Sequence, residues 1–181
     1  MLPKEHRVVL ADRTPQYSFA PSYPWLMLGR RTGRRISRDL RALEKKGIEV
    51  RIGEVKAIDT ANKQVTVRDE EVAYDYIVIA LGAQYSSEEI EGLNKTWTFY
   101  HLEGAEGLQE QLPKFEGGRL AIVVSALPYK CPPAPYEGAL LLDDYIRKRR
   151  KRDAVEITLY TPDKLPLPVA GEHIGEELLG M

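Results

Sequence analysis

The chain has 181 residues with 26 basic and 27 acidic side chains, a formal net charge of −1, so overall charge gives no case for a nucleic-acid partner. Its single cysteine excludes an intrachain disulfide framework, a cysteine-based zinc site and a two-cysteine redox centre within one copy. With 43% hydrophobic and 29% charged residues it is expected to be a globular protein of one domain or two small ones, and no apolar run reaches the length of a membrane span or forms a signal peptide. The expected location is the cytoplasm, with peripheral attachment to a membrane left open.

Arg7-Val8-Val9-Leu10-Ala11-Asp12 reads as a buried strand ending in a carboxylate. In a dinucleotide-binding βαβ unit, an acidic residue at the end of the second strand bonds the ribose hydroxyls, which makes Asp12 a candidate ribose ligand. Such a unit also needs an earlier strand and a glycine-rich turn that delivers the pyrophosphate to a helix N-terminus. Only six residues precede this strand and no G-x-G-x-x-G occurs in the chain, so the sequence reads as starting at the second strand of the unit. Thr14 to Gly29 is rich in aromatics and prolines. Two readings stand for it: a loop lining a planar ligand such as a flavin ring, with Pro21 among its residues, or a hydrophobic loop packed on a core. Arg30, Arg31, Arg34, Arg35, Arg38 and Arg41 follow at helical spacing with Ile36, Leu40 and Leu43 opposite, and Gly47 serves as the C-cap. A solvated face is the plain reading of these arginines, and a phosphate or anionic-lipid contact the sharper one.

Ile48–Ile52 alternates as a strand, and Gly53–Asp59 with Gln64–Arg68 predicts a hairpin or meander. Tyr74-Asp75-Tyr76-Ile77-Val78-Ile79-Ala80-Leu81-Gly82-Ala83 carries the strongest buried-strand signal in the chain and ends in a small turn whose glycine admits a close ligand. A helix is expected from His101 to near Pro113, and Gly117-Gly118 marks a junction. Leu120-Ala121-Ile122-Val123-Val124 is a strand that opens a second βαβ unit. The turn after it, Ser125-Ala126-Leu127-Pro128, has no glycine, so NAD(P)H is not expected to dock there. It leads into Tyr129-Lys130-Cys131-Pro132-Pro133-Ala134-Pro135-Tyr136-Glu137, a proline-stiffened loop holding the only cysteine. A lone cysteine is most often a small buried hydrophobe. Here Lys130 beside it and a helix start after it supply positive potential of the kind that activates thiols. Glu137 serves either as a helix-start acid or as a proton acceptor. The helix from Gly138 ends in Arg147-Lys148-Arg149-Arg150-Lys151-Arg152, either a solvated end or a patch for a membrane surface or acidic partner. Val155–Tyr160 is a strand, parallel to the preceding one by the βαβ rule, and Glu172–Met181 a short helix.

Four stretches together resemble the flavoprotein disulfide reductase superfamily, and more narrowly the sulfide:quinone oxidoreductases and the flavin subunit of flavocytochrome c sulfide dehydrogenases. They are the strand ending at Asp12, the loop Phe19–Trp25, the Ala80-Leu81-Gly82 turn with Asp75 upstream, and Cys131-Pro132-Pro133-Ala134-Pro135-Tyr136-Glu137. The resemblance implies an α/β fold: a partial Rossmann-like FAD-type domain with a β-meander over residues 1–116, then a partial second Rossmann-like unit over 117–181. It implies FAD as cofactor, with Asp12 on the ribose, Val55 on the adenine through its backbone, and Pro21, Ala80 and Gly82 against the cofactor. Cys131 becomes a redox cysteine that attacks or carries sulfide sulfur, Glu137 its proton acceptor, and a quinone or cytochrome the electron acceptor. The glycine-rich first unit, a later FAD-binding Gly-Asp stretch and the region supplying a partner cysteine and quinone site have no counterpart in this sequence. The expectation is therefore an incomplete chain, weakly active or inactive alone. The alternative is a remnant acting as an interaction module, a homodimer or a half completed by another chain, because a large exposed apolar patch is rarely tolerated.

Overall fold

The computed structural model describes residues 6–180, packed as two compact units. The first holds the residues through Phe19 together with Gly33–Gly82, and the second Ala20–Thr32 with the residues from Ala83 onward.

In the first unit Val8–Asp12 (β1) pairs in parallel with Ile48–Ile52 (β4), in register from Val8↔Ile48 to Asp12↔Ile52. Parallel neighbours need a long connection. Here it carries Gln16–Ser18 (β2), antiparallel to Ser37–Asp39 (β3). The single helix expected over the arginine-rich stretch does not form. Gly33–Ile36 makes one turn (α2), β3 extends, and Leu40–Lys46 is a 3₁₀ helix. The physical cause is Asp39, whose side chain accepts from the Arg41 amide and caps a new start. Short polar side chains favour caps over helix interiors. Gly47 closes the stretch at φ 79, as the sequence implied. Val55–Asp59 (β5) and Gln64–Val67 (β6) form the expected antiparallel pair, and Glu70–Ala73 (β7) adds a third strand to make a meander. Its first turn is held by the Asp59 carboxylate, which accepts from the Asn62 amide, the Asn62 side chain and the Ala61 amide and titrates below the usual range for that reason.

The run from Tyr74 to Ala83 corrects the sequence reading. It is not a strand, and Tyr76 and Val78 are 95% and 90% exposed. Apolar, β-branched composition suits a buried strand, but a strand exists only where neighbours complete its ladder. Among the described residues no strand pairs with this run.

In the second unit the later part of the aromatic and proline-rich stretch, from Tyr23 to Leu28, is largely core. Tyr23–Met27 (α1) has Pro24 in its first turn, where a missing amide costs nothing. It buries Tyr23, Leu26 and Met27 against Leu102–Gln111 (α3) and Ala134–Lys148 (α4). Gly118–Val123 (β8) and Val155–Tyr160 (β9) pair in parallel, with α4 between them in sequence and packed on both. Leu142 and Ile146, one turn apart on α4, are its deepest residues, and Ile146 has no exposed surface. Gly138 faces the Phe99 ring, and a Cβ there would stand 2.7 Å from the ring edge, so glycine is what allows the approach. Glu172–Leu179 (α5) completes the unit.

The basic end of α4 is used internally. Arg147 and Arg152 both pair with Asp143, Lys148 with Asp144, and Lys151 with Glu116. Arg149 donates to the carbonyls of Leu112, Pro113 and Phe115 at 2.8–3.1 Å, closing the chain end that follows α3. The charge that a membrane surface would attract is in large part already paired. No described helix is long and apolar enough to cross a membrane.

Candidate functional site

Cys131 sits between β8 and the first turn of α4, and its side chain is exposed. Its backbone is left-handed, φ 56, which a side-chain-bearing residue adopts at a cost of roughly 1–2 kcal/mol. Two donors hold its carbonyl there: the Ala134 amide at 3.0 Å and the Tyr100 hydroxyl at 3.3 Å. Burial first, then the neighbouring Cys131 and Tyr85, push the Tyr100 phenol far above its usual range, so it stays protonated and remains a donor. Tyr85 in turn donates to the Tyr100 carbonyl at 2.7 Å and meets the Tyr100 ring edge-on. The Lys130 ammonium lies 3.4 Å from the Tyr85 hydroxyl and over its ring, and makes no hydrogen bond to the sulfur. The α4 N-terminus, unoccupied by any side-chain cap, faces back along the loop and carries the partial positive charge of a 15-residue helix.

On the other side of the loop Tyr129 donates to Asp163 at 3.1 Å and to the Pro132 carbonyl at 3.3 Å. Burial, then Asp163 and Tyr136, raise this phenol far above its usual range too. Glu137 lies in the first turn of α4, half-buried, and its Oε1 accepts from the Trp25 indole at 3.2 Å. Trp25 itself lies under the guanidinium groups of Arg30 and Arg31, with Arg30 also paired to Asp144. Trp25, Pro133, Tyr136, Glu137, Leu140 and Leu141 line a shallow, mainly apolar groove of about 440 Å³. Pro21 is exposed in the 3₁₀ turn just before α1. Cys131, Glu137 and the loop holding Pro21 therefore belong to one packed unit, with Trp25 linking α1 to Glu137.

Asp12 and Val55 come together in the first unit. Asp12 ends β1, and its backbone carbonyl accepts from the Gly53 amide at 2.8 Å, two residues before Val55 opens β5. Its Oδ1 accepts from the Thr14 amide and hydroxyl at 2.9 and 3.3 Å, which fixes the carboxylate; Oδ2 makes no hydrogen bond among the described residues. Ala80 and Gly82 lie in the exposed run after β7, Gly82 at φ 77, with no hydrogen bond to that edge among the described residues. Sequence reasoning passed over Tyr85 and Tyr100, and took Trp25 only as the end of the Phe19–Trp25 loop. Only folding brings Tyr100 to the cysteine and Trp25 to Glu137. Among the described residues no cluster of His, Cys, Asp and Glu could hold a metal ion.

Comparison with known proteins fixes the setting of these residues. Residues 3–124 match the family model described as pyridine nucleotide-disulphide oxidoreductase. The chain belongs to this family. Residues 105–164, which include Cys131 and Glu137, match the central part of the sulfide dehydrogenase [flavocytochrome c] flavoprotein chain. Among family relatives, the sulfide-quinone reductase of Aquifex aeolicus is 30% identical over 168 residues, 90% of this chain and 38% of that protein. The mitochondrial sulfide:quinone oxidoreductase of Mus musculus is 31% identical over 98 residues, 51% of this chain and 22% of that protein. The crystal structure of the Aquifex aeolicus sulfide:quinone oxidoreductase superposes with a TM-score of 0.81 at 27% identity, over 96% of this chain and 42% of that one. NDH2 from Plasmodium falciparum, at 20% identity and a TM-score of 0.66, shares the fold. The expected α/β, Rossmann-like FAD-type fold is thus shown, and the chain spans about two fifths of the length of the Aquifex reductase.

The residues present fit one end of an FAD. A carboxylate at the carboxyl end of a parallel strand, fixed by Thr14 through one oxygen and free at the other, suits ribose hydroxyls. The chain contains no G-x-G-x-x-G turn for the pyrophosphate.

Proposed function

We propose that this family member is part of a sulfide:quinone oxidoreductase-like flavoprotein, one that oxidises sulfide and hands the electrons to a quinone or a cytochrome. The observation that carries the proposal is Cys131: an exposed thiol on a left-handed residue, clamped by Tyr100 and Ala134 ahead of α4, within the segment matched to a sulfide dehydrogenase flavoprotein chain. Bound FAD supplies the two-electron acceptor. Cys131 holds the sulfide sulfur. Glu137, with one carboxylate oxygen on Trp25 and the other available, takes up the proton released. Asp12 holds the FAD ribose and Val55 the adenine. Pro21, Ala80 and Gly82 contact the cofactor. On this assignment residues 1–116 are the FAD-type portion and 117–181 the second Rossmann-like portion. The protein works in the cytoplasm and meets its acceptor at the membrane surface.

One thiol cannot by itself form and release a disulfide, so a single copy turns over poorly. Single-turnover reduction is the informative assay. Sulfide added anaerobically to the FAD-loaded chain is expected to bleach the flavin absorbance, and Cys131→Ser is expected to abolish the protein-dependent part of the bleaching. Equal bleaching by the serine variant removes the cysteine from the chemistry.

A further inference from the structure

The β6–β7 connection is a two-residue hairpin turn, Arg68-Asp69, between Val67 and Glu70. Arg68 stands at φ 57, in the left-handed region. The first position of such a turn favours glycine, which enters that region freely, whereas arginine is strained there. Local structure alone therefore does not explain an arginine. Strain of this kind is kept where a side chain has work to do.

The side chain folds back toward the carboxyl ends of β1 and β4. The Arg68 amide donates to the Glu54 carbonyl at 2.8 Å. Its side chain lies across Gly53, where a Cβ would stand 2.7 Å from Arg68 Nε and 2.9 Å from Cδ. Gly53 is the residue whose amide bonds the Asp12 carbonyl. The stem and Nε of Arg68 thus lie over the side-chain-free Gly53, whose amide bonds Asp12 and which stands two residues before Val55. Arg68 is exposed and its side chain makes no hydrogen bond or ion pair among the described residues. Asp69 pairs with Lys56 and is drawn to Arg68 only as a lesser partner, and Glu70 pairs with Arg51.

We infer that Arg68 is a nucleotide-binding residue, whose guanidinium stacks on the base of an adenine nucleotide held at its ribose by Asp12. This rests on the flavoprotein assignment above and adds a residue that no motif marks. The base, and not a phosphate, is the partner because the Arg68 side chain crosses Gly53, which stands between the Asp12 strand end and Val55. Asp12 beside it marks the ribose, and Val55 beyond Gly53 marks the base.

The test is calorimetric titration of the full chain with adenosine and with ADP, alongside thermal unfolding. Arg68→Gly is expected to keep or raise the melting temperature, since glycine suits φ 57. It is expected to weaken adenosine and ADP by the same factor, about tenfold, the size of one desolvated stacking contact. Gly53→Ala, which fills the floor and displaces Arg68, is expected to weaken both ligands similarly. If either variant binds both ligands like the unaltered chain while Asp12→Ala loses them, Arg68 is not a ligand and the flavoprotein assignment stands. A loss confined to ADP replaces base stacking by a phosphate contact and overturns the inference. If the unaltered chain binds neither ligand, the ribose assignment of Asp12 falls together with it.

Discussion

Cys131 is held in a conformation that only its surroundings make tenable. The residue has φ 56, and its carbonyl is fixed by Tyr100 and Ala134. Replacing it with glycine removes the steric conflict between Cβ and backbone. Cys131→Gly is therefore expected to stabilise the chain by about 1 kcal/mol, read as a higher midpoint in urea, while all thiol chemistry is lost. An unchanged or lower midpoint contradicts the strain described here. Much of this was legible in the sequence: one cysteine, prolines around it and a helix after it. The left-handed backbone and the Tyr100 clamp were not, because they depend on residues 31 positions apart meeting in space. Lys130 shows the same limit. Adjacency in sequence suggested a partner for the sulfur, whereas the ammonium turns to Tyr85.

At the scale of elements, the C-terminal end of α4 shows what charge patterning can and cannot tell. A run of basic residues reads as a solvated or membrane-facing patch. Folding instead gives Arg149 the carbonyls of Leu112, Pro113 and Phe115 as acceptors. Arg149→Ala leaves three acceptors, those of Leu112 and Phe115 part-buried, short of a donor and is expected to cost about 1–3 kcal/mol in urea unfolding. The neighbouring acids give the pH dependence its sign. Arg147 and Arg152 hold Asp143 below its usual range; Lys148 and Arg30 do so for Asp144, and Lys151 and Arg149 for Glu116. A carboxylate whose folded value is depressed contributes stability above its unfolded value, and loses it as pH falls through the folded one. The melting temperature is thus expected to decline as pH drops below the ordinary carboxylate values of 3.8 and 4.5. Asp143→Asn is expected to make the decline shallower, and an unaltered slope would count against these pairs as its source. The arginine-rich stretch failed as a helix for a local reason, the Asp39 cap, which the reading of apolar and basic spacing overlooked.

Across the whole molecule, the elements most secure from sequence were those whose partners the chain itself supplies. The β5–β6 pair and the β8–α4–β9 unit formed where the apolar pattern placed them, with α4 starting at Ala134 rather than Gly138. The run after β7 had the strongest strand signal and formed no strand. Its pattern encodes burial on both faces, and burial depends on neighbours that a one-dimensional pattern cannot guarantee. Asp12 lies in the segment matched to the pyridine nucleotide-disulphide oxidoreductase model, and Cys131 in the segment matched to the central part of a sulfide dehydrogenase flavoprotein chain.

FAD titration followed by quenching of flavin fluorescence tests most directly the proposal that Asp12 anchors a flavin nucleotide on this chain. The expected result is saturable binding of one FAD per chain, weakened about tenfold or more by Asp12→Ala, as befits a lost charge-assisted hydrogen bond. Binding that does not saturate, or an Asp12→Ala curve that overlays the unaltered one, would contradict it.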